Sequence, residues 1–116
     1  FFHATADHDR IPEYYRLADL FALCSESREA FGTVYLEAMA TGLPIVATAD
    51  DSRREILANA AVFVKDVADA TEYAGAITKA LRLKSQLRKK TLARAKKFTW
   101  AKIGDSYQKE FDQLFI

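Results

Sequence analysis

The sequence has a single cysteine, two prolines and no apolar run of membrane-spanning length. One cysteine, Cys24, excludes an internal disulfide and a cysteine-based zinc site. Because Cys24 lies in an apolar stretch, a buried structural thiol is favoured over a nucleophile. No segment approaches the roughly 18 apolar residues of a membrane span, and no signal peptide is apparent. We expect a reducing, cytoplasmic location, with peripheral attachment to the inner face of a membrane as a variant.

Neither sign of charge is in excess. Seventeen Lys and Arg oppose sixteen Asp and Glu, and the net charge is +1. This balance favours neither nucleic acid nor an acidic partner. Half of the residues are hydrophobic, so the chain can bury a core, and its length suits one domain. Both ends are apolar, which predicts that the 116 residues are one part of a longer protein.

Apolar runs alternate with helical patterns along the first two thirds of the chain. Strands are predicted in the runs FFHATAD, DLFALCS, PIVAT and AVFV, and these lack the polar alternation of half-exposed strands. Such runs suit a parallel sheet covered on both faces. The sequence therefore predicts an α/β, Rossmann-like parallel sheet of about four short strands with a helical C-terminal third. Helices are predicted at 11–18, 31–41, 51–60, 69–83, about 85–97 and 99–115.

Two glutamates flank a glycine-threonine turn in the middle of the chain. Gly32 and Thr33 lie at the predicted start of a helix, where free N–H groups and the helix dipole favour an anion. Glu37 is one turn beyond Thr33, where a carboxylate could accept the hydroxyls of a ribose, as in dinucleotide-binding folds. Glu29 precedes the turn and could bind a second hydroxyl-bearing group. Alternatively, Glu37 only stabilises the helix dipole and Glu29 is a solvated loop residue.

The surrounding stretch, YYRLADLFALCSESREAFGTVYLEAMATGLPIVAT, resembles a family of enzymes. It is similar to the donor-binding segment of the retaining group 1 glycosyl transferases, which include glycogen synthases and bacterial mannosyltransferases. The shared features are E-x-F-G, a second Glu eight residues after the first, EAMA-x-G, and P-I-V-A-T. The resemblance covers essentially the whole chain, including REIL, FTW and the aromatic C-terminal stretch.

The resemblance implies that residues 1–116 are the second half of a C-terminal donor-binding domain in a two-domain GT-B fold. Glu29 would contact the donor sugar, the amides around Phe31, Gly32 and Thr33 would bind sugar and diphosphate, and Glu37 would hold the ribose. The loop at 4–7 would approach the nucleobase. By the same resemblance, the donor would be a nucleotide-diphosphate sugar and the acceptor a glycan, lipid-linked or small-molecule hydroxyl. Transfer would retain configuration and would need neither cofactor nor metal.

The sequence departs from the family pattern in two ways. Asp51 and Ser52 replace a glycine pair that lets the backbone approach the donor phosphates. The basic Arg and Lys pair that neutralises the diphosphate, and the N-terminal acceptor domain, are also absent from these residues. Because a poorly neutralised diphosphate is a poor leaving group, we expect no turnover from this chain alone.

Residues 79–97 hold nine Lys and Arg and no acidic residue. This run is interpreted as a solvated helix face, as a surface that binds anionic lipid, or as a nucleic-acid site. Because no aromatic residue is interleaved in the run, nucleic acid is not expected as a partner. The alternative function for the whole chain is a non-catalytic basic α/β module that binds membrane or nucleic acid through 79–97.

Overall fold

The computed structural model describes residues 3–25 and 32–114. Two 3₁₀ helices, His8–Arg10 and Lys96–Phe98, precede the first and the last α-helix. The strands and helices, in chain order, are α1 Ile11–Leu17, β1 Phe21–Leu23, α2 Thr33–Ala40, β2 Ile45–Thr48, α3 Asp51–Leu57, β3 Ala61–Val64, α4 Ala70–Arg82, α5 Lys84–Ala95 and α6 Trp100–Leu114.

The three strands form one parallel sheet in the order β1-β2-β3. Phe21 pairs with Ile45, and Ile45 pairs in turn with Ala61. Since each connection joins parallel neighbours through a helix, the predicted α/β architecture with its helical C-terminal third is confirmed.

A strand was also expected at 1–7, and the described part of this run, residues 3–7, forms none. The side chains there are exposed and are mostly alanine or polar. They offer little apolar surface to bury against a sheet, which is the physical reason that the expectation fails for these residues. The first two phenylalanines of the run lie outside the described residues.

The central strand β2 divides the core into two layers. Ile45 and Ala47 face a cluster built by α2 and α3, with Tyr35, Ala38, Met39 and Leu57 fully or almost fully buried. Val46 faces the opposite side, where it packs with Val64 and with residues of α4 and α5. This alternation along one strand explains why the PIVAT run is apolar throughout, because both of its faces are covered.

The last helix, α6, buries no residue against the rest of the described chain. Its exposed apolar side chains include Trp100, which is 87% exposed, and Leu114, which is 74% exposed. No helix in the described ranges is both long enough and apolar enough to cross a membrane.

The turn between α2 and β2 depends on Gly42. Its φ is +76°, a left-handed conformation in which it donates its N–H to the Met39 carbonyl at 3.0 Å. A β-carbon built there would lie 2.8 Å from Nη1 and 3.2 Å from Cγ of Arg88. The predicted role of Gly42 as the residue that ends α2 is therefore confirmed.

We expect Gly42→Ala to lower the free energy of unfolding by about 1–2 kcal/mol, because alanine disfavours this backbone conformation. Gly75→Ala is the matched control. Gly75 lies inside α4 with no atom within 4 Å of the added β-carbon, so this change should stabilise by about 0.5–1 kcal/mol. Urea unfolding of the two variants measures both effects, and equal effects of the same sign would contradict the argument.

Candidate functional site

The amino end of α2 lies just beyond the carboxyl end of β1, at the edge where open parallel sheets bind ligands. Gly32, at φ +68° and ψ +51°, is the residue before the helix, and no side-chain hydrogen bond caps it. The first turn of α2 carries no acidic residue. No described residue of this turn therefore neutralises the helix dipole, which favours an anion at this end. The predicted Glu29 and Phe31 lie outside the described residues.

Glu37 lies on the second turn of α2 and points towards α1. The Tyr15 hydroxyl donates a hydrogen bond to Oε2 of Glu37 at 3.0 Å. Both side chains line a cleft of about 300 Å³ between the two helices. The other residues of the cleft are His8, Ile11, Pro12, Arg16, Ala40 and Thr41. Its volume is at the lower end of the range of about 300–1,000 Å³ for small-molecule sites.

The Tyr15 side chain is held firmly in this position. Its ring packs against Phe21 of β1 with 5.8 Å between centroids, and Phe21 packs edge-on against Tyr35 at 5.7 Å. Partial burial, the hydrogen bond to Glu37 and the negative charge of Glu37 together raise the pKa of Tyr15 to about 12. Tyr15 is therefore a proton donor to Glu37 throughout the neutral range.

A second polar network ties together the ends of β1, α2 and α3. Tyr35 donates its hydroxyl hydrogen to the Leu23 carbonyl at 2.9 Å and accepts a bond from Nε of Arg53 at 3.0 Å. Arg53 is only 4% exposed and also pairs through Nη1 with the Asp50 carboxylate. Burial tends to lower the pKa of Arg53, but its bonds to Tyr35 and Asp50 outweigh burial and raise it. Arg53 therefore carries a paired, buried charge.

The amino end of α3 differs from that of α2. The Asp50 carboxylate caps it by accepting the Arg53 N–H at 2.8 Å, and Asp51 occupies the first turn. Asp51 and Ser52, which replace the expected glycine pair, are exposed at the helix start. Because two carboxylates already occupy this dipole end, it is a poor site for a phosphate. Of these two helix starts, only that of α2 has neither a side-chain cap nor an acidic residue in its first turn.

Cys24 follows β1 and is half-buried. Burial raises the pKa of its thiol, against smaller opposing effects of a hydrogen bond with Tyr73 and of the Arg53 charge. This direction agrees with the expected structural role rather than with that of a nucleophile. Among residues 3–25 and 32–114, no three His, Cys, Asp or Glu side chains come together as a metal site.

The basic run at 79–97 occupies the end of α4, α5 and the following 3₁₀ helix. Eight of its nine Lys and Arg side chains are exposed, which confirms the expectation that most of them face solvent. Arg94 is half-buried and donates to the backbone carbonyls of Ile56 and Glu55, the first at 2.8 Å. Exposure of the other eight is what a solvated face and a membrane-facing surface both require.

The fold and site define a Rossmann-like α/β chain with an open helix start at the carboxyl edge of its sheet. The sequence matches the family described as glycosyl transferases group 1 over residues 1–98. Since the match covers most of the 116 residues, the chain belongs to this family. The matched range ends before α6.

A more specific likeness is short. A stretch of 42 residues is 52% identical to the lipopolysaccharide core biosynthesis mannosyltransferase LpsB of Rhizobium meliloti strain 1021. This stretch is 36% of the present chain and 12% of the relative. The relative is accordingly about three times as long as these 116 residues. Over this stretch the likeness to a glycosyltransferase agrees with the family assignment.

Of the predicted site residues, the structure describes Gly32, Thr33 and Glu37. It places Gly32 directly before α2, Thr33 exposed at the start of the helix and Glu37 half-buried one turn on. Two residues of the site were not predicted from the sequence. They are Tyr15, which is the partner of Glu37, and the buried Arg53. The tyrosine-rich stretch before Ala18 and Asp19 was part of the resemblance, but nothing in the spacing shows that a helix 22 residues away supplies the hydroxyl.

Tyr15→Phe should lower the free energy of unfolding by about 1 kcal/mol at neutral pH, since Glu37 loses a donor while the ring packing remains. The pKa of Tyr15 rises on folding from 10.0 to about 12. The folded chain therefore holds this proton more tightly, and its contribution is present below pH 10 and lost as the pH approaches 12.

The difference in stability between wild type and Tyr15→Phe should consequently shrink over that alkaline interval. Urea midpoints measured from pH 8 to pH 11.5 test this. Tyr14→Phe, on the exposed side of the same helix, is the control. A Tyr15→Phe difference that stays constant across the whole series would show that the hydrogen bond to Glu37 does not operate in solution.

Proposed function

We propose that this chain is the part of a group 1 glycosyltransferase that holds a nucleotide-diphosphate sugar donor. The observation that carries the proposal is the arrangement on α2. Its amino end has no side-chain cap and no acid in the first turn, and one turn later the Glu37 carboxylate is fixed in a cleft by Tyr15. An anion site beside an oriented hydroxyl acceptor suits a molecule with phosphate next to ribose.

In this proposal, backbone N–H groups at Gly32 and Thr33 bind the diphosphate, together with the backbone at Phe31. Glu37 accepts the ribose hydroxyls. Glu29 binds hydroxyls of the donor sugar on the other side of the diphosphate. Asp50 and Asp51 keep the neighbouring helix start free of phosphate, so the donor has one orientation along α2.

The proposed reaction is transfer of a hexosyl group to an acceptor hydroxyl with retention of configuration. The bond between the anomeric carbon and the diphosphate oxygen breaks, and a bond from the acceptor oxygen forms on the same face. The acceptor proton passes to the departing diphosphate oxygen. In this proposal no metal ion is required, because N–H groups and basic side chains stabilise the leaving charge.

The acceptor and the sugar follow from the relative only as a proposal. LpsB is named as a lipopolysaccharide core mannosyltransferase. The more specific form of the proposed reaction therefore has a mannosyl donor and a glycan or lipid-linked acceptor. We place the complete protein in the cytoplasm. The exposed lysines and arginines of 79–97 would suit contact with the anionic face of a membrane that carries such an acceptor.

The isolated 116-residue chain should neither hydrolyse nor transfer nucleotide sugar. The residues that neutralise the diphosphate and those that bind the acceptor are expected in polypeptide outside it, and without them the leaving group is not stabilised. Incubation of the purified chain with UDP- and GDP-sugars, followed by assay of released nucleoside diphosphate, measures this. Sustained turnover would show that the chain is catalytically sufficient.

In the complete enzyme, Glu37→Ala should raise KM for the donor by about tenfold or more, because a charge-assisted bond to ribose is present in both ground and transition states. Glu29→Ala should mainly lower kcat, since a sugar that is poorly oriented reacts slowly even when bound.

Glu55→Ala provides the control, since Glu55 is exposed on α3 away from the cleft. Steady-state kinetics of the three variants with a nucleotide-sugar donor give the split between KM and kcat. Near-normal constants for both Glu29→Ala and Glu37→Ala would leave Glu37 as a dipole-stabilising residue and Glu29 as a surface carboxylate.

A further inference from the structure

The hydrogen bond between Tyr15 and Glu37 joins two helices that are distant in sequence. Tyr15 belongs to α1 and Glu37 to α2, 22 residues apart, and the bond of 3.0 Å is made at the wall of the cleft between them. A half-buried carboxylate that needed only solvation could obtain it from water. A rigid phenol as its donor suggests that the direction of the carboxylate matters.

The phenol ring is positioned by the core and not by the cleft. Phe21 lies against one side of it, and Phe21 is itself packed on Tyr35, which is 1% exposed. The hydroxyl of Tyr15 therefore reaches Glu37 from a nearly fixed point, and little side-chain freedom is lost when a ligand binds.

The bond also makes the two oxygens of the Glu37 carboxylate different as hydrogen-bond acceptors. Tyr15 occupies one lone-pair direction of Oε2, which leaves Oε1 and the remaining lone pair of Oε2 as acceptors. Two acceptors on one fixed carboxylate match two vicinal hydroxyls. Without Tyr15, the carboxylate would be free to rotate towards Arg16, a cation that lines the same cleft.

We propose that Tyr15 is a positioning residue that makes the site selective for ribonucleotide over 2′-deoxyribonucleotide donors. The inference rests on the proposed function, in which Glu37 binds the ribose. Sites built to bind a hydroxyl can reject the analogue that lacks it by large factors, about 10⁴–10⁵ in fully buried cases. Because this cleft is open to solvent, we expect a preference of about 10- to 100-fold, and its loss when Tyr15 is removed.

The experiment measures binding of UDP, GDP and their 2′-deoxy forms to the complete glycosyltransferase by titration calorimetry. The variants are Tyr15→Phe, Glu37→Ala, the double variant, and Tyr14→Phe as the control on the same helix. Wild type and Tyr14→Phe should prefer the ribonucleotide. Both single variants at the pair should lose most of this preference, and the double variant should lose no more than Glu37→Ala alone.

The ratio of affinities is informative because a general loss of stability affects both ligands equally and cancels. If Tyr15→Phe keeps the wild-type preference while Glu37→Ala loses it, the role of Tyr15 is overturned and the ribose assignment stands. If neither the wild type nor any variant distinguishes the ligands, the ribose assignment itself is wrong.

Glu37→Asp provides a second test in case the Tyr15→Phe variant does not fold. It keeps the charge but draws the carboxylate away from the Tyr15 hydroxyl. It should bind the nucleoside diphosphates with a preference reduced to the level of Tyr15→Phe. A full wild-type preference in Glu37→Asp would overturn the positioning role independently.

Discussion

The buried hydroxyl of Tyr35 is the interaction on which the carboxyl edge of the sheet depends. It donates to the last carbonyl of β1 and accepts from Arg53 of α3, while its ring lies in the core between α2 and β2. Two helices and a strand are thereby held in one arrangement at the edge where α2 begins. A tyrosine is suited to this position because its ring is apolar enough to pack in the core, while its hydroxyl can form hydrogen bonds with buried polar groups.

The same tyrosine connects the core to the cleft. Tyr35 packs edge-on against Phe21, and Phe21 packs against Tyr15, whose hydroxyl meets Glu37. A side chain of the core is thus linked by aromatic packing to a carboxylate at the surface. In arrangements of this kind, residues that do not themselves touch a ligand fix the orientation of a side chain that could bind one.

The described residues differ in how completely the rest of the structure covers them. The matched relative is about three times as long, and α6 exposes an aromatic and aliphatic face that the described residues do not cover. The middle strand of the sheet, by contrast, is fully covered on both faces. The described residues therefore form a covered core around β2, whereas α6 buries no residue against them.

The sequence by itself determined the order of the three observed strands and of the helices, the parallel sheet and the turn at Gly42. These follow from apolar periodicity and from backbone conformations that few residues adopt. It also indicated Gly32, Thr33 and Glu37 as neighbours, since four residues make one helical turn. Only the tertiary structure decided which partners those residues have. The Tyr15 hydroxyl on Glu37, the burial of Arg53, and the closed helix start at Asp50 all depend on packing between segments far apart in the chain. Local spacing carries no information about such contacts. The strand expected at 1–7 is a different case, because the low apolar content of residues 3–7 is itself a property of the sequence.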